Sequence, residues 1–221
     1  MLPTVTRLLE PLAEVDDRGV HGDDGSYSTW RQHIQAGAEL AALLRSRLDP
    51  AKPPHVGVLL GNTPQFSEFL VATALGGIVL VGLNPTRRGA ALRRDVEHAD
   101  CQLVIVDDQA LAPESAAPAG TDVLDVTSPE WSDERAGFTG SPVRFAASTP
   151  ENLFMLIFTS GTSGEPKAVR CTHDKVAGPG VMLSERLGLG PADTCYLSMP
   201  LFHSNALMAG WSPAVAAGAS I

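Results

Sequence analysis

The sequence predicts an α/β fold of mostly parallel sheets flanked by helices, and three observations carry that expectation. Short apolar runs alternate with longer segments whose apolar residues recur every three or four positions. The runs are continuously apolar rather than alternating, as in strands buried on both faces. Of the 221 residues 44% are apolar, ample for a buried core.

From Thr29 to Leu48, Trp30, Ile34, Gly37, Ala41, Leu44 and Leu48 mark one face of a helix, with Ser28 as the expected cap. "HVGVLL" at 55–60 reads as a strand. Thr63-Pro64 then sets a cap and a first-turn proline ahead of the stripe Phe66, Phe69, Leu70 and Thr73. Gly76-Gly77 ends that helix, and "IVLVGL" is a second buried strand. Leu92, Val96 and Ala99 give the next helical stripe before the strand "LVIVD" at 103–107. Residues 1–107 thus read as one α/β unit with parallel strands.

Residues 108–150 change character. "QALAPESAAPAG" is rich in Ala and Pro, "TDVLDV" has the content of a strand, and "TSPEWSDERAGFTGSP" is full of turn formers, so the segment is expected to be an irregular connection. In 151–221 a loop-bearing stretch is followed by a helix over 174–187, a strand "TCYLSMP" and a helix over 204–217, which reads as the start of a second α/β unit. "AAGASI" then reads as a helix end, a glycine turn and the first residues of another strand. The expectation is a unit cut short, with an uncovered sheet edge that favours self-association or a complementing C-terminal part.

The net charge of −9 and a pI near 5.0 lack the basic excess that nucleic-acid binding requires. The cluster Arg87, Arg88, Arg93 and Arg94 reads as a solvated helix face. Cys101, Cys171 and Cys195 are widely spaced without a Cys-x-x-Cys pair, so neither a disulfide framework nor a zinc site is expected, and a cytoplasmic location is. No window approaches the ~20 apolar residues that span a bilayer, and the N-terminus has no signal-like pattern. His21, His33, His55, His98 and His173 show no metal-ligand spacing, and Asp23-Asp24 and Asp107-Asp108 are adjacent rather than facing pairs.

Chemistry concentrates in "LFMLIFTSGTSGEPKAVRCTHDK" at 153–175. Thr159, Ser160, Thr162 and Ser163 offer hydroxyls, Gly161 and Gly164 let backbone N–H groups turn inward, and Lys167 adds a mobile positive charge. These are the parts of a phosphate site. The G-x-x-x-x-G-K-[ST] loop of P-loop ATPases is absent, because Pro166 stands five positions after Gly161 and Ala168 follows Lys167. "AVRCT" has the content of a strand, so the loop is expected to join two strands. Neither G-x-G-x-x-G nor G-x-S-x-G occurs. A flexible surface linker shares this composition, but the buried strand before it and the single fixed lysine argue against one.

"FTSGTSGEPKAV" resembles the phosphate-loop signature of the adenylate-forming superfamily, which comprises acyl-CoA synthetases, luciferases and peptide-synthetase adenylation domains. "SYSTWRQHIQAGAELAALL" resembles that family's first helix, "VGVLLGNTPQFSEFLVATALGGIVLVGLNP" its first β-α-β unit and "PLFHSNAL" its segment after the loop. The resemblance implies a loop over Ser160, Gly161, Thr162, Ser163 and Gly164 that closes on the β- and γ-phosphates of ATP. It associates Thr159 with Mg2+ and brings Lys167 to the phosphates. Ser163 stands where threonine is common, and Ala168 where glycine is usual.

His203 by itself reads as a helix-start histidine held by packing; the resemblance puts it beside the acyl pocket, where amino-acid-activating members usually carry an aspartate. The implied fold is the N-terminal portion of the large domain of an adenylate-forming enzyme, apparently truncated, without the C-terminal domain. The implied function is that of an AMP-forming fatty acyl-CoA synthetase using ATP, Mg2+ and CoA, with a fragment of it inactive alone. A ligase that loads a carrier protein and a non-catalytic product that binds a partner are the alternatives.

Overall fold

A computed structural model describes residues 2–107, 117–159 and 167–221. Thr4 caps α1 (Val5–Leu9) by accepting from the Arg7 N–H, and an antiparallel hairpin of β1 (Gly19–His21) and β2 (Tyr27–Thr29) follows. The cap of α2 (Trp30–Arg47) is Thr29 and not Ser28, which is held in β2 opposite Val20. Thr29 and Gln32 exchange side-chain-to-backbone bonds, a capping box that ties off two N–H groups of the first turn. The predicted stripe of Trp30, Ile34, Gly37, Ala41 and Leu44 is buried.

Next come β3 (His55–Leu59), α3 (Pro64–Gly76), β4 (Val79–Gly82), α4 (Gly89–His98) and β5 (Leu103–Val106). Gly77, at φ 61°, closes α3 in the left-handed conformation that glycine adopts without steric cost. Thr63 occupies the N-cap position of α3, yet its hydroxyl makes no capping bond.

The expectation of an irregular 108–150 fails over 122–136 and holds over 137–150. β6 (Asp122–Asp125) pairs in parallel with β5, and α5 (Pro129–Ala136) is capped by Ser128. The turn formers Ser128 and Pro129 are a cap and a first-turn proline, and Trp131 is buried with its ring 6.3 Å from that of Phe69. Arg135 and Arg47 bind Glu68 and Glu134, which fastens this segment to α2 and α3.

β7 (Leu153–Thr159) and β8 (Lys167–Thr172) do not begin a second unit. They extend the first sheet, whose strand order is β6-β5-β3-β4-β7-β8, all neighbours parallel except β7 and β8. The chain steps from β3 to β4 on one side, crosses to β5 and β6 on the other, and returns to β7. Helices therefore fall on both faces. Val58, Leu80, Ile105 and Met155 point to the larger core with α2 and α3; Leu59, Val81, Val104 and Leu156 point to the smaller one under α4.

α6 (His173–Leu187) runs back along the larger core. The strand expected over 194–200 is not formed: Thr194 makes one parallel bridge with Ser220, and Tyr196 and Met199 are exposed. The helix expected over 204–217 is α7 (Ser204–Ala206), a π turn over Leu207–Trp211, and α8 (Ser212–Ala217). Pro213 lacks an N–H and crowds the turn before it, and the wider turn accommodates it. The bare edge expected at the last residues is filled instead. Ile221 exchanges backbone bonds with Gly19 and His21, and Ser220 exchanges them with Asp193 and Cys195, so both sides of this stretch are paired.

Candidate functional site

β7 carries four consecutive buried residues, Phe154 to Ile157, and then emerges at the exposed Thr159. Thr159 is the register partner of Lys167, the first residue of β8, so the two form the closing pair of the hairpin. Because β7 is parallel to β4, this mouth opens at the carboxyl edge of the parallel strands, where open α/β sheets bind ligands. The two strands joined by the loop are thus as expected. Ser160, Gly161, Thr162, Ser163 and Gly164 lie outside the described residues.

Lys167 is exposed, and its side chain makes no ion pair or hydrogen bond among the described residues. An ammonium and a hydroxyl at one mouth, neither with a side-chain partner among the described residues, suit a polyanion. Among the described residues no group of three or more His, Cys, Asp or Glu could hold a metal ion. A lone hydroxyl such as that of Thr159 fits Mg2+ only as one ligand among water and phosphate oxygens, the usual way this ion is held.

His203 reaches the same edge by another route. It is the N-cap residue of α7, half-buried, with its ring 4.4 Å from that of Phe202. Phe202 fills the space above Gly82, the last residue of β4: a Cβ on Gly82 would stand 3.1 Å from Phe202 Cβ and 2.7 Å from Met155 Cε. The sequence reading missed Gly82. Its signal was a glycine inside a continuous apolar run, which marks a close approach from outside the strand.

A cavity of about 400 Å3 lies beside the segment before His203. Leu197, Leu201, Val20 and Ile221 supply apolar walls, and Ser67 and Thr63 supply hydroxyls, Thr63 Oγ1 being buried without a partner among the described residues. Thr159, Lys167 and His203 do not line it. His173 is no part of the mouth either. It is buried in the first turn of α6 with its ring 5.1 Å from Phe154, and burial pushes its imidazole down to about 4. Burial likewise pushes the Cys101 thiol up to about 12. No helix among the described residues is long and apolar enough to cross a membrane.

Comparison with known proteins gives the family and the fold. The model of the AMP-binding enzyme family matches residues 12–221. The medium/long-chain-fatty-acid–CoA ligase FadD17 of Mycobacterium tuberculosis is 58% identical over 219 residues, covering 99% of this chain and 43% of that protein. The steroid-22-oyl-CoA synthetase of Rhodococcus jostii is 38% identical over 222 residues, 99% of this chain and 40% of that one. The chain therefore spans less than half the length of these relatives. Among solved structures, ATP-bound MatB from Rhodopseudomonas palustris superposes with a TM-score of 0.85 at 21% identity, over 97% of this chain and 43% of that chain. VinN superposes with a TM-score of 0.81 at 23% identity, over 99% and 55%. These two likenesses establish the fold.

Proposed function

From a chain that belongs to the AMP-binding enzyme family, the adenylate-forming enzymes, we propose the ATP-handling and acyl-facing part of an AMP-forming fatty acyl-CoA synthetase. In the first half-reaction a carboxylate oxygen attacks the α-phosphorus of ATP, the bond to the bridging oxygen breaks, and pyrophosphate leaves. In the second, the thiol of CoA displaces AMP from the acyl-adenylate, losing its proton. The observation that carries this reading is the closing pair Thr159 and Lys167 on the edge to which Phe202 brings His203.

Charge builds on the β- and γ-phosphates as pyrophosphate departs, and donors fixed there stabilise the transition state. Lys167 supplies a cation at the hairpin mouth, and the residues from Ser160 to Gly164 supply hydroxyl and backbone donors. Thr159 would be one ligand of Mg2+, which would offset the charge of the phosphates. At His203 the imidazole and the neighbouring Phe202 offer no carboxylate to pair an amine, which favours an uncharged acyl chain. The names of the relatives favour CoA over a carrier protein as acceptor, and a medium or long fatty acid as substrate. The free cysteines, two of them buried, are consistent with the cytoplasm.

The test joins this chain to the part of the M. tuberculosis relative that it does not match, and follows pyrophosphate exchange with a panel of acids. Fatty acids should drive exchange and free amino acids should not. Exchange driven by an amino acid, or by no acid at all, overturns the proposal.

A further inference from the structure

Between Cys195 and His203 the chain has no regular structure; Leu201 and Phe202 are buried, but the stretch before them is largely exposed. Tyr196 is 89% exposed and Met199 47% exposed. Apart from the turn bond that the Pro200 carbonyl accepts from the His203 N–H, the backbone of residues 196–202 makes two hydrogen bonds to the rest of the molecule among the described residues, and both go to one side chain. Asn62 Nδ2 donates to the Leu197 carbonyl at 2.6 Å, and Asn62 Oδ1 accepts from the Leu201 N–H at 3.1 Å. The two partners fix the orientation of the amide, since one needs a donor and the other an acceptor.

Asn62 stands in the turn between β3 and α3, at the carboxyl edge of the sheet, and its neighbour Pro64 is fixed in the first turn of α3. The frame behind the amide is therefore rigid, and the segment in front of it is exposed at Tyr196, Ser198 and Met199.

Resting on the proposed function, we infer that Asn62 is a positioning residue for the acyl-facing half of the site. Its side-chain amide sets where residues 197–203, and with them His203, stand on the edge of the sheet. Among the described residues, Asn62 makes no hydrogen bond to Thr159 or Lys167. Its loss should move acid recognition and leave ATP recognition alone. A side chain that merely held the fold together would move both or neither.

Two measurements test this. In the 221-residue chain, the Leu201 amide of Asn62→Ala should exchange with deuterium roughly tenfold faster than in the parent, as one net hydrogen bond predicts. In the fusion with the M. tuberculosis relative, Asn62→Ala should raise the KM for fatty acid about five- to tenfold, with the KM for ATP moving less than about twofold. Asn62→Asp is isosteric but charged, and it sets an acceptor oxygen against the Leu197 carbonyl in place of the donor, so it should shift the acid KM in the same direction even if the alanine variant folds poorly. Unchanged exchange at Leu201 overturns the inference, as do equal shifts in both KM values or no shift in either. A parent fusion that activates no acid refutes the proposed function instead, and the exchange measurement on the 221-residue chain still decides the role of Asn62.

Discussion

Acid should unfold this protein through a histidine far from the hairpin mouth. His33 is 1% exposed in α2, with Nε2 2.9 Å from Ser67 Oγ, while Trp211 Nε1 donates to the same hydroxyl at 2.8 Å. Nδ1 is buried without a partner among the described residues, so a second ring proton would be a donor with nothing to accept it. Burial pushes the imidazole from 6.5 down to about 4. The folded value lies below the unfolded one, so the unfolded chain takes up the proton first as pH falls. The stabilisation is intact above pH 6.5, declines between 6.5 and 4, and is fully lost below 4. The difference between 6.5 and about 4, at about 1.4 kcal/mol per unit, corresponds to about 3 kcal/mol as an order of magnitude. Urea unfolding of the parent and of His33→Gln from pH 7.5 to 4 isolates the effect, because carboxylates titrate equally in both. The parent should lose about 3 kcal/mol more than the variant across that window. A variant whose stability falls with pH as steeply as the parent's refutes the assignment.

Three further outcomes are expected. His173, pushed down to about 4 by burial beside Phe154, should act in the same direction, so the double variant with His173→Gln should be flatter than His33→Gln alone in the same urea series. Lys167→Ala in the fusion should slow pyrophosphate exchange roughly 10- to 100-fold, the loss of one charge-assisted contact to phosphate, and an unchanged rate would remove Lys167 from the site. Gly82→Ala should destabilise by about 1–3 kcal/mol, because the new methyl meets Met155 and the backbone of Phe202, and thermal melts read the loss directly.

The larger sheet was legible because its signals are local. β3, β4, β5 and β7 are apolar runs, α2, α3 and α4 carry stripes, and Gly77 stops α3 where the glycine pair implied. Sequence reasoning failed where tertiary context decides. Ser128 and Pro129 mark both turns and helix starts, and burial of Trp131 against Phe69 selects the helix. "TCYLSMP" has the content of a strand, yet Thr194 makes the segment's only bridge and the rest is held by an amide more than a hundred residues upstream. The hairpin around the phosphate-binding parts was readable from the alternation in "AVRCT". The juxtaposition of Phe202 with Gly82 was not, because nothing local to either residue encodes it.

The two halves of the candidate site stand on different supports, and that division has a consequence for how they fail. Thr159 and Lys167 end a ladder of backbone hydrogen bonds whose strand is buried from Phe154 to Ile157, so moving them means breaking the sheet. His203 rests on one aromatic ring seated over a glycine and on one amide reaching two peptide groups, all at the end of a segment whose middle is exposed. Support of the first kind is cooperative with the whole fold, whereas the second lies at the low-stability end where local opening is cheap. The position proposed to meet the acid can therefore shift while the position proposed to meet the phosphates stays fixed. Under the proposed function, acid preference should be adjustable by substitutions at or beneath residues 197–203 without loss of the hairpin that carries Thr159 and Lys167. Substitutions within β7 should carry no such separation, since they would alter stability and the proposed phosphate handling together.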